Sequence, residues 1–347
     1  NLPTVFVIDL YGGDISGLPV IEDLERLGRR FLVVSSSKLE DVGRALRIVY
    51  AAKMLRESKI LLITRRDANP AKYLSESYIH RIGERLGTRV EYVDYEEVKR
   101  FYDQADEAEA GRLAEKLIRE AKEVREVSRE DIVKAARMYL ALKKLLEERA
   151  ANALAIDCLG WLEYEKIPLP TTPCIALSIL NDEGYVAACE ADLHSALTML
   201  IFRYLADIPS FISDPVVDTG TNTVIHCHCT APRLMDGRTP SPYRIRSHAD
   251  SGEGVSIQVY MREGEPVTVG KLVEGLDKLL AARGRIVENV EVDRGCRTKV
   301  RVTVKDSRKY LYRYRGGLHR VLAYGDLLDQ LEDLGRLLGF RVELEGE

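Results

Sequence analysis

The hydrophobic pattern of the chain changes near residue 208, and this change limits the possible folds more than any other feature. Before it, short continuous apolar runs such as KILLIT (59–64) and ALAIDC (153–158) alternate with helical patterns. Such runs are typical of strands buried in parallel sheets between layers of helices. After it, the period-2 alternation in KVRVTVKD (299–306) indicates an antiparallel sheet or barrel. The sequence predicts an α/β fold with doubly wound parallel-sheet domains, followed by an antiparallel β-rich C-terminal domain.

Three domains are expected, since 347 residues exceed one ordinary core. We predict a partial N-terminal α/β domain over 1–57, a second α/β domain over 58–208 and the β-rich domain over 209–347. The first has only two predicted strands, TVFVID and RFLVVS, and the sequence opens on Asn1, so we expect that an N-terminal piece is missing. Within the β-rich domain, KYLYRYR (309–315) is predicted to be a further strand.

Charge and composition exclude some partners. The chain has 51 basic and 55 acidic residues, for a net charge of -4, and no basic stripe that would follow a phosphate backbone. The sequence contains no run of 18 apolar residues and no secretory signal, which predicts a cytoplasmic protein without nucleic-acid or membrane partners. A charged fraction of 31% together with few glutamines predicts a thermophilic source.

The segment VIHCHC (224–229) packs two histidines and two cysteines side by side. In a strand, successive side chains point to opposite faces, so His226 and His228 would share one face, and Cys227 and Cys229 the other. Structural zinc sites use spacings such as C-x-x-C, which this chain lacks. We therefore expect buried, reduced thiols, and a role for His228 near a site.

Three other polar residues lie where predicted strands begin or end, which is where α/β proteins place their chemistry. Glu190 follows the apolar run GYVAAC, Asp214 precedes Pro215, and His319 precedes an apolar strand after two glycines. Each also has a structural interpretation. A carboxylate after a strand often stabilises the next helix, as Asp192 would, an aspartate before proline forms turns, and a histidine near glycines is often exposed.

Taken together, CEADLHSALTML, FISDPVVD, HCTAPRLM, SHADSGEGVSIQVYM and LHRVLAYGD resemble, in order, segments of the L-fucose isomerase and L-arabinose isomerase superfamily. The resemblance covers roughly residues 17 to 347. It implies a divalent ion, Mn²⁺ or else Mg²⁺ or Co²⁺, held by Glu190, Asp214 and His319. It also implies that Glu190 and Asp214 are catalytic and that His228 and His248 bind the substrate. His228 is an alternative further ligand.

The implied reaction is metal-dependent interconversion of an aldose and a ketose, a pentose or a 6-deoxyhexose, through a cis-enediol. One base and one acid must flank C1 and C2, and two carboxylates on a Lewis-acidic ion suit that task. The resemblance also implies a homo-oligomer, a trimer or hexamer. Leu318 stands where fucose isomerases often have asparagine, which weakens the case for fucose as substrate.

Two other interpretations stay open at this point. One is a catalytically silent, sugar-binding relative, which would turn over no aldose. The other is a metal-dependent aldolase, although aldolase metal sites tend to be rich in histidine whereas this set has two carboxylates.

Overall fold

The computed structural model describes residues 3–64, 76–158 and 169–347. The chain starts with a small unit of two parallel strands and two helices. Its elements are β1 (Thr4–Val7), α1 (Gly13–Arg26), β2 (Phe31–Val34) and α2 (Leu39–Glu57). Strands β1 and β2 pair with each other in parallel. None of the helices that the structure describes combines the length and the apolar character needed to cross a membrane.

The next part of the chain builds a four-stranded parallel sheet. Its elements are β3 (Lys59–Ile63), α3 (Glu76–Leu86), β4 (Arg89–Val93), α4 (Tyr95–Gln104), α5 (Glu107–Glu120), β5 (Glu123–Val124), α6 (Arg129–Glu148), β6 (Ala153–Ile156), α7 (Cys174–Asp182), β7 (Val186–Ala188) and α8 (Leu193–Ala206). The strand order is β4-β3-β6-β7, and the short strand β5 lies outside this sheet. Alternate residues of β3 enter two different cores: Leu61 and Ile63 pack with α4 to α7, whereas Ile60 and Leu62 pack with α2, α3 and α8. Helices thus cover both faces of this sheet, which explains the continuous apolar runs.

The remaining elements are mostly antiparallel strands. They are β8 (Phe211–Asp218), β9 (Thr223–His228), β10 (Tyr243–Arg246), β11 (Ser256–Val259), β12 (Pro266–Leu272), β13 (Lys278–Asn289), β14 (Thr298–Thr303), α9 (Ser307–Tyr312), β15 (Arg320–Tyr324), α10 (Leu328–Leu338) and β16 (Arg341–Leu344). Six strands pair in the order β12-β15-β8-β9-β14-β13, and β13 also pairs with β12. The antiparallel sheet therefore closes into a barrel. The predicted combination of parallel sheets with an antiparallel C-terminal part is present, while the domain boundaries stay predictions.

One predicted strand is wrong. Most of KYLYRYR forms the short helix α9, in which Tyr310 is fully buried and Tyr312 is 87% exposed. Asp306 caps this helix by accepting a hydrogen bond from the backbone N–H of Lys309 at 2.9 Å. Alternating tyrosines are typical of strands, but the capping aspartate favoured a helical turn in this segment.

Helix α8 connects the parallel sheet to the barrel. Twelve of its 14 residues are buried, and it packs against β6 and β7 on one side and against β12 and β15 on the other. The helix approaches β12 closely, since a Cβ added at Gly270 would lie 3.0 Å from the ring of Phe202. The N-terminus of α8 consequently lies where the two parts of the molecule meet.

Candidate metal centre

Glu190 lies in the turn between β7 and α8. Glu190 and Ala191 both have left-handed backbone conformations, with φ of 54° and 50°. Non-glycine residues rarely adopt this conformation, and each costs roughly 1–3 kcal/mol. Hydrogen bonds hold the turn: the N–H of Ala191 donates to the carbonyl of Ile156 at 2.9 Å, and Asp192 caps α8. The strained turn directs Glu190 toward the barrel.

The barrel presents three further side chains from neighbouring strands. Asp214 lies in β8, His228 is the last residue of β9, and His319 immediately precedes β15. Strand β8 pairs with both β15 and β9. Hydrogen bonding along the strands therefore fixes the spacing of these three residues.

The four side chains converge on one point. His319 Nε2 lies 3.3 Å from Glu190 Oε2 and 3.4 Å from Asp214 Oδ1, and His228 Nε2 lies 3.6 Å from Glu190 Oε1. One ligand atom from each of Glu190, His228 and His319 lies within 4.8 Å of the others. Hard divalent ions bind ligands at about 2.0–2.6 Å, so atoms at these separations can share one ion. The structure thus brings the predicted ligands Glu190 and His319 together with His228, while the predicted ligand Asp214 lies beside this group, in contact with His319.

Three atoms at this point are buried and form no hydrogen bond with the residues that the structure describes: Asp214 Oδ1, His228 Nε2 and His319 Nε2. A buried polar atom without a partner costs about 1–3 kcal/mol. All three can offer a lone pair to a cation, and together with Glu190 they form a mixed imidazole and carboxylate set. Such a set fits a first-row divalent ion such as Mn²⁺ or Co²⁺ better than Mg²⁺, which prefers oxygen and water.

The protonation equilibria of the two carboxylates differ. Burial alone would raise the pKa of Glu190, but the close contacts and charges of His228 and His319 outweigh it and lower that pKa. Burial raises the pKa of Asp214 despite the same two histidines. Burial opposes protonation of His319, yet its hydrogen bond with Asp192 and its contact with Glu190 raise its pKa to about 10. A proton and a metal ion would therefore compete for His319.

Other residues of the segment VIHCHC lie outside this cluster. His226 is fully buried and its Nδ1 lies 2.9 Å from the hydroxyl of Ser213, so it does not join His228 at the centre. The thiol of Cys227 donates to the backbone carbonyl of Asp214 at 3.2 Å, and the two residues are directly paired in register. Burial alternates along β9, with His226 and His228 buried and Cys227 partly exposed, and the pairing in register places Cys227 beside Asp214 on the neighbouring strand.

His248 is also not brought into the cluster. It lies in the loop between β10 and β11, and its Nδ1 is 3.0 Å from the hydroxyl of Ser251. Its role in substrate binding stays a prediction.

Sequence reasoning assigned Asp192 to helix capping only, and the structure adds a second contact. Asp192 caps α8 as predicted, and its Oδ2 also lies 2.9 Å from His319 Nδ1 and contacts Lys271. Lys271 comes from β12, 79 residues away in the chain. The spacing E-x-D before a helix was the available signal, but it does not reveal a partner so distant in sequence.

No protein-family model matches the chain. The sulfoquinovose isomerase of Priestia aryabhattai is 25% identical over 314 residues, which cover 88% of this chain and 68% of that protein. That of Alkalicoccus urumqiensis is 25% identical over 312 residues, covering 87% and 68%. That of Clostridium sp. (strain MSTE9) is 27% identical over 214 residues, covering 60% and 47%. The predicted thermophilic source gains no support here, but over most of its length the chain is similar to proteins named as isomerases of a sugar.

Proposed function

We propose that this protein is a metal-dependent intramolecular oxidoreductase that interconverts an aldose and a ketose through a cis-enediol. The observation that carries the proposal is the cluster of Glu190, His228 and His319, with Asp214 beside His319 and with three buried atoms that have no hydrogen-bond partner among the described residues. The similarity to proteins named sulfoquinovose isomerase supports the same class of reaction.

In this proposal Glu190, Asp214, His228 and His319 hold the divalent ion. When bound, the ion supplies Lewis acidity at two neighbouring substrate oxygens, which stabilises the charge that develops as the enediol forms. Asp214, beside His319, is the group proposed to take the proton from C2 and return it at C1, while the hydroxyl proton on O2 passes to O1. Glu190 stays ionised, because two histidines contact its carboxylate. The two carboxylates thus divide the proton transfer and charge stabilisation between them.

The substrate is proposed as a class. The resemblance implies a pentose or a 6-deoxyhexose, whereas the similar proteins are named for sulfoquinovose. All three kinds of sugar should therefore be tested as substrates. Leu318, directly before His319, is 54% exposed and would offer an apolar contact beside the ion rather than a hydrogen bond. We also propose a homo-oligomer, a trimer or hexamer, which light scattering coupled to gel filtration measures directly.

The test uses the chain stripped of metal with a chelator and then supplied with Mn²⁺, Mg²⁺ or Co²⁺. Proton NMR in D₂O follows L-fucose, L-arabinose, D-arabinose and sulfoquinovose in separate reactions. We expect metal-dependent conversion of at least one aldose to its ketose, with deuterium from the solvent entering the transferred position, because an enediol exchanges its proton.

The same experiment separates the alternatives. A catalytically silent sugar-binding relative would convert none of the aldoses with any ion. An aldolase would give shorter products from cleavage of a carbon–carbon bond. Either result would overturn the proposed function.

A further inference from the structure

Lys271 is a charged residue inside the core. Its side chain is 1% exposed, although it lies in β12 between apolar neighbours. Lysine is almost never fully buried unless it is paired, and burying its charge is costly. The partners of Lys271 are Asp192 and Ser195, both at the N-terminus of α8. These contacts place it directly behind His319, on the side away from Glu190.

The directions of the hydrogen bonds around Asp192 follow from which groups can donate. The backbone N–H of Ser195 donates to Asp192 Oδ1 at 2.9 Å. Lys271 donates to Asp192 Oδ2 and, at 2.8 Å, to the hydroxyl oxygen of Ser195. Because an ammonium group has only donors, the hydroxyl of Ser195 directs its own hydrogen to Asp192 Oδ2, 2.8 Å away. The carboxylate therefore accepts the hydrogen bonds from Ser195 and from Lys271.

His319 Nδ1 is 2.9 Å from the same Oδ2. A carboxylate that only accepts requires that Nδ1 carry the hydrogen. In a neutral imidazole the lone pair then lies on Nε2, the atom that faces Glu190 and Asp214 at 3.3 and 3.4 Å. The opposite tautomer would place a hydrogen on Nε2, where the ion is proposed to bind.

We propose that Asp192 is a positioning residue for the metal centre: paired with Lys271, it holds His319 in the Nδ1–H tautomer and aims Nε2 at the ion. The inference rests on the proposed function for the identity of the ligands. It adds the residue pair, Asp192 with Lys271, that orients the ligand His319. Carboxylates behind metal-binding histidines raise metal affinity in this way, and their loss weakens it by about 10- to 100-fold.

The test compares two variants that both remove the lysine and its ion pair. K271M keeps the Asp192 carboxylate, so that Oδ1 still caps α8 and Oδ2 still accepts from His319. D192S/K271M keeps a good helix cap, but its single oxygen cannot serve both Ser195 and His319. The matched control is K278M/E343Q, which removes another lysine–carboxylate pair of the barrel, separated by 3.0 Å.

Mn²⁺ affinity is measured by the electron paramagnetic resonance of the free ion, and the fold of each metal-free variant by circular dichroism. We expect D192S/K271M to bind Mn²⁺ at least about tenfold more weakly than K271M, with K278M/E343Q close to the unmodified chain. Equal Mn²⁺ affinity in K271M and D192S/K271M would overturn the inference and leave the proposed metal site standing. Failure of the unmodified chain to bind Mn²⁺ would overturn both.

A second measurement does not depend on how the variants fold. In the unmodified chain loaded with Zn²⁺, a diamagnetic probe, nitrogen-15 NMR of labelled histidine reports the tautomer of each of the six histidines. We expect His319, assigned with an H319Q variant, to carry hydrogen on Nδ1. Hydrogen on Nε2 of His319 would overturn the inference.

Discussion

The candidate centre joins two regions that present their side chains in different ways. The barrel offers Asp214, His228 and His319 from neighbouring, hydrogen-bonded strands, which hold them at fixed separations. The other region offers Glu190 from a turn with two successive left-handed residues. Such strain persists where the surrounding structure enforces it, and it often marks a functional position. The barrel thus presents its candidate ligands at fixed separations, whereas the strained turn brings in one carboxylate.

The largest expected effect comes from the turn. Glu190→Gln keeps the shape of the side chain but removes the charge that contacts both histidines, so we expect turnover to fall by about 10³-fold or more and Mn²⁺ affinity to fall with it. The measurements are steady-state isomerisation and Mn²⁺ titration. Glu183→Gln is the control, since that carboxylate pairs with Lys143 on the surface of the same region. Normal turnover in the Glu190→Gln variant would show that this turn contributes no functional residue to the centre.

A smaller loss is expected on the barrel side. His228→Asn should weaken Mn²⁺ binding or turnover by about 10- to 100-fold, because the shorter amide cannot reach the position of Nε2 beside Glu190. His80→Asn serves as a control at an exposed histidine that pairs with Glu84 on α3. If both variants behave like the unmodified chain, His228 belongs to the packing of the barrel and not to its ligands.

Acid stability distinguishes His226 from His228, two residues along the same strand. Burial, with a smaller contribution from the charge of Arg320, lowers the pKa of His226 to about 3. Between this value and the ordinary 6.5, the unfolded chain binds the proton and the folded chain does not, so the free energy of unfolding falls as pH falls. Urea unfolding of the metal-free chain measures this free energy between pH 6.5 and 4. Its dependence on pH should be weaker in His226→Asn, by up to about 1.4 kcal/mol per pH unit.

For each protein, the free energy of unfolding is compared between two pH values. The difference is used because the substitution also changes packing, and so alters stability at pH 7. His194, whose pKa burial lowers to about 4, contributes a slope of the same sign that remains in the variant. An unchanged pH dependence in His226→Asn would show that His226 is not buried in its neutral form.

The smallest effect concerns strain in the turn itself. Ala191→Gly relieves the left-handed conformation at φ 50° without changing a ligand. Because glycine also gains freedom in the unfolded chain, the net gain in unfolding free energy should be only about 0.5–1 kcal/mol. Thermal unfolding measures it, with Ala187→Gly in β7 as a control that should destabilise. A destabilised Ala191→Gly variant would mean that the turn is not strained.

Sequence periodicity predicted the change from parallel to antiparallel sheet, because continuous and alternating apolar runs reflect burial on two faces or on one. It failed at α9, where alternating tyrosines imitate a strand.

For the centre, strand ends and the family resemblance nominated Glu190, Asp214 and His319, which the fold brings together. Their roles stay predictions. The contact between Asp192 and Lys271 could not be predicted, since it joins residues 79 positions apart and depends on how α8 packs against β12. Likewise, strand alternation assigns His226 and His228 to one face and could not tell which of them contacts Glu190 and which contacts Ser213.

The packing of α8 has a mechanical consequence. This one helix lies between the parallel sheet and the barrel, and the four side chains of the centre come from both sides of it. Sliding of the barrel along α8 by about 1 Å would take Glu190 out of bonding range of an ion held by the barrel, since ligand distances tolerate only a few tenths of an ångström. A bound ion would therefore resist shear between the two halves, and the rigidity of the whole chain would depend on whether that ion is present.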